Sequence, residues 1–186
     1  MINNQARHPA GLHLVRRHPV IAILALLAAV FLVATSVLFV WPATDQPRHV
    51  DGILSLNGNN EGSRFDTTVA LAEKGYAPVL LFSQGAANTT CPKVRKVSVV
   101  CFAPNPDQTI GEIKFGAEYA RRHGWHSLMI VSGRAQVTEA RLLMERCFSG
   151  QIVMVPAPRV YLTQLPLEII HEWGGLAKAV LSDERC

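Results

Sequence analysis

The sequence predicts an α/β fold, a Rossmann-like three-layer sandwich with a mainly parallel sheet, preceded by one transmembrane helix. Three observations predict it. First, three apolar runs each stop in a small, polar, glycine-bearing loop. They are Ile53-Leu54-Ser55-Leu56 before Asn57-Gly58-Asn59-Asn60, Val79-Leu80-Leu81-Phe82 before Ser83-Gln84-Gly85, and Leu128-Met129-Ile130-Val131 before Ser132-Gly133-Arg134. Unbroken runs of this length suit strands buried on both faces, as in a parallel sheet covered by helices. Second, helical periodicities separate the runs, and such alternation builds right-handed β/α crossovers. Third, no charged residue occurs from Val20 to Val40.

That first apolar segment, closed by Trp41, is about 22 residues long and sufficient to span a bilayer with some tilt. Pro19 stands at its first turn, where a helix tolerates proline. Arg7, Arg16 and Arg17 precede it with no acid among them, which predicts a cytoplasmic N-terminus (residues 1–19) and an exported domain. The run exceeds a signal-peptide core, and no convincing small-residue cleavage site follows before Asp45, so an uncleaved signal anchor over 20–41 is expected. Apart from these three arginines, the 18 basic residues nearly balance the 14 acids. The net charge of +4 therefore reports topology and argues against nucleic-acid binding. Lys93, Arg95 and Lys96 read as a solvated loop.

Pro42 and Pro47 mark a linker over 42–49, and one domain of about 135 residues occupies 50–186. Its first strand is Gly52–Leu56. A helix over Arg64–Lys74, with Phe65, Val69, Leu71 and Ala72 on its apolar side, stops at Gly75. Pro78 introduces a strand ending at Ser83. An irregular segment containing Asn88-Thr89-Thr90 leads to a strand over Val97–Cys101. Pro104 and Pro106 turn the chain into a helix capped by Asp107 or Thr109 and ended by Gly124. A strand over Ser127–Val131, a helix over Gln136–Cys147 and a strand over Ile152–Val155 follow, the last stopped by Pro156 and Pro158. Pro166 opens a final helix carrying Glu168, His171, Glu172 and Trp173.

Cys91, Cys101, Cys147 and Cys186 all follow the apolar segment, on the side where disulfides persist. They allow three complete pairings. Cys91–Cys101 is favoured because both flank one short edge strand in a segment with no helix to stiffen it. Cys147 as partner of either is the alternative, and Cys186 is expected to be unpaired. No CxxC pair and no histidine at zinc spacing points to a metal, and no cofactor is implied.

In a parallel sheet the loops at the carboxyl ends of the strands gather on one edge, where ligands bind. Glycine there lets backbone N–H groups approach an anion. The candidate ligand-binding residues of these loops are accordingly Asn57, Gly58, Asn59, Ser83, Gln84, Gly85, Ser132 and Gly133, with Glu112 beside them. Ser83 and Ser132 lack the glycines of a nucleophile elbow and read as turn hydrogen-bonders. Glu112 serves either as a helix-dipole partner or as a ligand contact. His171-Glu172 is no zincin motif, since Gly175 stands where a second histidine is needed, and it reads as an exposed helix face.

Together these segments resemble the YdcF/SanA/ElyC-type domain, a Rossmann-like family often tethered to bacterial envelopes. Asp51-Gly52-Ile53-Leu54-Ser55-Leu56-Asn57-Gly58 resembles its opening strand, and Arg64 stands near the next helix start, where the family has an arginine. Phe82-Ser83-Gln84-Gly85, Thr109-Ile110-Gly111-Glu112, and Ile130-Val131-Ser132-Gly133 followed by Ala140-Arg141 are similar to later family segments in the same order. The Thr109–Glu112 helix start, Arg146-Cys147 and the single anchor look most like actinobacterial members. Two departures stand out: the family histidine falls at Gln136 and its following arginine at Glu139. An amide exchanges no proton near neutral pH, and glutamate inverts the charge. Arg134 or Arg141 could supply a substitute cation.

The resemblance implies a role in cell-envelope biogenesis and a phosphorylated or nucleotide-like ligand, with Arg64 pairing the anion, Thr109 and Gln136 joining the ligand-binding residues, and Glu112 and Gln136 as the catalytic candidates. Beside it stands a non-catalytic binding or scaffold module with an eroded polar site, because fold alone does not select activity.

Overall fold

The computed structural model of the chain describes residues 19–58, 61–84, 91–158, 165–182 and 186. Helix α1 (Pro19–Thr35) runs on through one π-helical turn, Ser36–Val40. Pro19–Val40 is long and apolar enough to cross a membrane, with 22 residues and a mean hydropathy of 2.9. No residue of Pro19–Thr35 is buried, and Phe39 in the π-helical turn is fully buried against the domain.

The domain alternates β1 (Gly52–Ser55), α2 (Glu61–Glu73), β2 (Val79–Ser83), β3 (Ser98–Phe102), α3 (Thr109–Arg122), β4 (Ser127–Gly133), α4 (Val137–Cys147), β5 (Gln151–Ala157) and α5 (Leu165–Leu181). The five strands form one all-parallel sheet in the order β3-β2-β1-β4-β5. Register pairs Leu54 with Leu81 on one side and with Ile130 on the other, so the apolar runs become the three central strands. Successive side chains on a strand point to opposite faces, which divides each run between two cores. Ile53, Leu80, Met129 and Val153 pack towards α2 and its Leu71 and Ala72. Leu54, Leu81, Ile130 and Met154 pack towards α3 and α4. Gly116 on α3 sits directly over Leu54, where a Cβ would come within 2.6 Å of the leucine side chain, so glycine sets how closely the helix approaches the sheet.

Pro156 reads as the end of the last strand, yet β5 continues through it to Ala157, paired with Ser132 and Gly133. The strand lies at the edge of the sheet, where a missing N–H loses no ladder bond. Further along that edge the open groups are covered by the segment after α1. The Asp45 N–H donates to Met154 O at 2.8 Å, the Met154 N–H donates to Asp45 Oδ2 at 2.9 Å, and Arg141 Nη2 donates to the same oxygen at 2.8 Å. Burial works against the charge on Asp45, but these donors hold its carboxyl below the usual range. Residues 42–49 read as a linker, but through Asp45 they are docked on the sheet, which protects an exposed edge. Arg141 is thereby committed to Asp45.

Cys91 and Cys101 are bonded, with Cα atoms 6.0 Å apart, as the short edge strand suggests. Cys186 corrects the expectation of an unpaired thiol: it is bonded to Cys147, with Cα atoms 5.2 Å apart. The cause is helix direction. α4 packs against α5, and Arg146 Nη1 donates to Ala179 O at 2.6 Å, so Cys147 at the end of α4 meets the chain just beyond α5.

Candidate functional site

β1 and β4 are sheet neighbours whose crossover helices leave in opposite directions, and the crevice beyond their carboxyl ends is where α/β sheets bind ligands. Arg64, in the first half of α2, fills the base of this crevice and is only 6% exposed. Its Nη1 donates to Leu56 O, to Asn57 O and, at 3.2 Å, to Gln136 Oε1. Gly58 and Gly133 close on the guanidinium from the two strand ends. A Cβ at Gly58 would lie 2.9 Å from it and one at Gly133 3.2 Å, and Gly58 has a φ of +131°, which L side chains rarely adopt. Gly58 therefore requires the absence of a side chain, and Gly133 leaves room for the guanidinium to lie close to the backbone.

A second buried group adjoins this one. Glu112, in the first turn of α3, accepts the Asn57 N–H at 2.6 Å through Oε1. Burial pushes its carboxyl up to about 7, against the lowering pull of the Ser83 hydroxyl, the Asn57 N–H and the Arg64 charge. Gln136 joins the two halves, since its Nε2 donates to Thr109 Oγ1 at 3.0 Å. Asn57, Arg64, Thr109, Glu112 and Gln136 thus form one continuous polar network, with Gly58 and Gly133 as its walls and Ser83 buried nearby. Ser132 is fully buried and turned into its own bend, its Oγ donating to Gly133 O at 3.2 Å. The Gln84 N–H donates to Phe102 O and continues the strand ladder. Asn59 and Gly85 lie outside the described residues, as does the Asn88-Thr89-Thr90 sequence.

Above Arg64 opens a cavity of about 190 Å³, bounded on the strand side by Gly58, Gly133, Arg134 and Gln136. Its far wall comes from α5: Glu168, His171 and Glu172. This corrects the reading of His171-Glu172 as a solvated face. His171 is exposed, but Glu172 is 9% exposed and turned inward. Burial first, then the neighbouring Glu139 charge, push the Glu172 carboxyl up to about 8, while Arg64 pulls the other way. Glu139 reaches α5 because residue 175 is glycine, where a Cβ would sit 2.8 Å from its carboxylate. Glu139 and Glu172 therefore form a carboxyl pair across two helices, one member of which keeps its proton at neutral pH. The signal for this wall is Glu168 and Glu172, one turn apart, with Gly175 on the same side of α5.

The arrangement combines a buried cation, two carboxyls that exchange protons near neutral pH, and close backbone. Among the described residues, no group of three or more His, Cys, Asp or Glu side chains is placed to hold a metal ion. No family model, curated protein or solved structure matches the chain.

Proposed function

We propose that this is a single-pass membrane protein whose domain binds a small phosphorylated or nucleotide-like anion over Arg64, in an envelope role of the YdcF/SanA/ElyC type. The observation that carries this reading is the guanidinium buried between Gly58 and Gly133. The Leu56, Asn57 and Gln136 acceptors of its Nη1 are neutral oxygens, and the buried carboxyls beside it, Glu112 and Glu172, hold protons up to about pH 7 and 8. A buried guanidinium at the floor of an open crevice, with Arg134 also in the lining, supports a negatively charged ligand, and charge-assisted contacts to phosphate are the strong ones. Titration calorimetry of the full chain in detergent against pyrophosphate and a nucleoside monophosphate tests it. Arg64→Ala is expected to weaken binding roughly tenfold or more, the loss of a contact worth about 1.5–3 kcal/mol. Tight binding that survives Arg64→Ala moves the site elsewhere.

A non-catalytic binding role is the second reading. Gln136 favours it, because its amide is committed to Thr109 and Arg64 and exchanges no proton.

The orientation we infer is N-terminus cytoplasmic and domain extracytoplasmic. It is supported by the apolar helix, the unopposed Arg7, Arg16 and Arg17 before it, and two disulfides beyond it. A reporter active only after export, fused behind Cys186, is expected to be active. Activity of a strictly cytoplasmic reporter at that position reverses the orientation.

A further inference from the structure

We propose that α5 lies against the lipid beside α1, with one long face seated on lipid and the opposite face walling the cavity. This rests on reading α1 as membrane-spanning. Leu167, Ile170 and Leu181 are 74%, 69% and 85% exposed, and they fall on one stripe of the helix with the exposed Gly174 and Ala177 between them. Spacings of three, seven and fourteen residues return to the same side of an α-helix. An apolar stripe that runs the length of a helix and meets no part of the protein calls for a non-aqueous partner.

The position of α5 beside the anchor identifies that partner as lipid. Trp173 stacks on Phe31, with ring centroids 5.4 Å apart, meets Phe39 edge-on at 5.2 Å, and donates from Nε1 to Thr35 Oγ1 at 3.2 Å. Phe31 lies about 13 Å before the end of the apolar helix at the α-helical rise per residue. The midpoint of α5 is therefore alongside the apolar run and short of its exit, and the stripe on α5 continues the uncovered Leu, Val and Phe surface of α1. Nor is the anchor loosely tethered. Thr138 Oγ1 donates to Leu38 O at 2.5 Å, Phe39 is fully buried, and Asp45 is bound to β5. These ties hold α5 at a set depth relative to α1. Glu172 and Ala179 face inward on the other side.

Photo-crosslinking on the full chain, reconstituted in vesicles of phosphatidylcholine and phosphatidylglycerol, tests the proposal. p-Benzoylphenylalanine is placed singly at Leu167, Ile170 or Leu181, with Leu27 in α1 and the exposed Arg95 as references. Lipid adducts at the three α5 positions are expected to exceed those at Arg95 by roughly tenfold or more, as for a helix buried in the acyl boundary. Adducts at Leu27 without adducts on α5 overturn the docking and leave the anchor intact. Crosslinks from α5 to a second copy or another protein overturn lipid as the occupant. No adducts at Leu27 overturn the anchor and the proposal with it. Hydroxyl-radical footprinting of the unsubstituted chain in the same vesicles reads the face without any substitution. Leu167, Ile170 and Leu181 are expected to stay unoxidised, and oxidation as fast as in water overturns the docking.

Discussion

Replacing Cys147 and Cys186 together by serine is expected to cost the fold about 4 kcal/mol in the chain-entropy model. The bridge spans a sequence separation of 39, against 10 for Cys91–Cys101, and loop-closure entropy grows with the logarithm of that span. The paired substitution of Cys91 and Cys101 should therefore cost less, about 3 kcal/mol. Denaturant midpoints of the full chain in micelles, followed by near-ultraviolet circular dichroism, measure both. A larger loss for Cys91 and Cys101 reverses the argument, and peptide mapping that finds Cys147 joined to either of them refutes the pairing. The longer bridge also has a local consequence. It ties the end of α4 to the chain beyond α5, beside the Arg146–Ala179 hydrogen bond, and so holds the helix that carries Glu172.

The sheet is legible in the sequence because a parallel strand covered on both faces leaves an unbroken apolar run. Ile53, Leu80, Met129 and their neighbours are consecutive buried positions, and few other arrangements produce them. Strand order is another matter. Nothing local in Val97–Cys101 or Ile152–Val155 says that these strands flank the sheet on opposite sides. The strand-end residues of the site are legible for a topological reason, since Gly58, Gly133 and Gln136 must gather where β1 and β4 end. Arg64 follows because α2 starts from the first of those loops.

The α5 wall is not legible, because the apolar pattern of that helix points the opposite way. Leu167, Ile170 and Leu181 are the residues a soluble helix would bury, yet they are outermost, and Glu172 is the residue it would expose, yet it is inside. Periodicity identifies which residues share a face and says nothing about which face meets the protein when a long apolar helix lies alongside. Cys186 escapes for a similar reason, since helix direction decides its partner. The segment around Asp45 reads as a linker because prolines mark it, whereas its hydrogen bonds to β5 depend on which strand ends the sheet.

Stability is expected to fall as pH rises from about 5 to 8, and Glu172→Gln is expected to remove much of that slope. Glu172 and Glu112 ordinarily titrate near 4.5, and in the fold they titrate at about 8 and about 7. Between these values the native state holds protons that the unfolded chain has released, so unfolding is a proton-releasing reaction and its free energy declines with pH. The full stability is present below the unfolded values and is lost as pH passes through 7 for Glu112 and 8 for Glu172. Moving a carboxyl's titration by one pH unit is equivalent to about 1.4 kcal/mol, so the loss from the two groups amounts to several kcal/mol by about pH 9. Asp45 and Asp51 act in the opposite sense. Their depressed carboxyls contribute stability that disappears as pH falls below their ordinary range, so the maximum should lie in mildly acidic solution. Glutamine at 172 keeps the shape and the hydrogen-bond donor of the protonated acid beside Glu139 but has no charge to bury. Denaturant midpoints of the two proteins should therefore agree near pH 5 and separate by pH 9, with the variant more stable. Glu112→Gln should show the same divergence starting about one pH unit earlier. Parallel profiles for wild type and Glu172→Gln would mean that the carboxyl is already ionised in the fold. The Glu139–Glu172 pair would then be two charges held apart by water, and Glu172 would add a negative charge to the cavity wall beside Glu168, which weakens the case for an anion over Arg64.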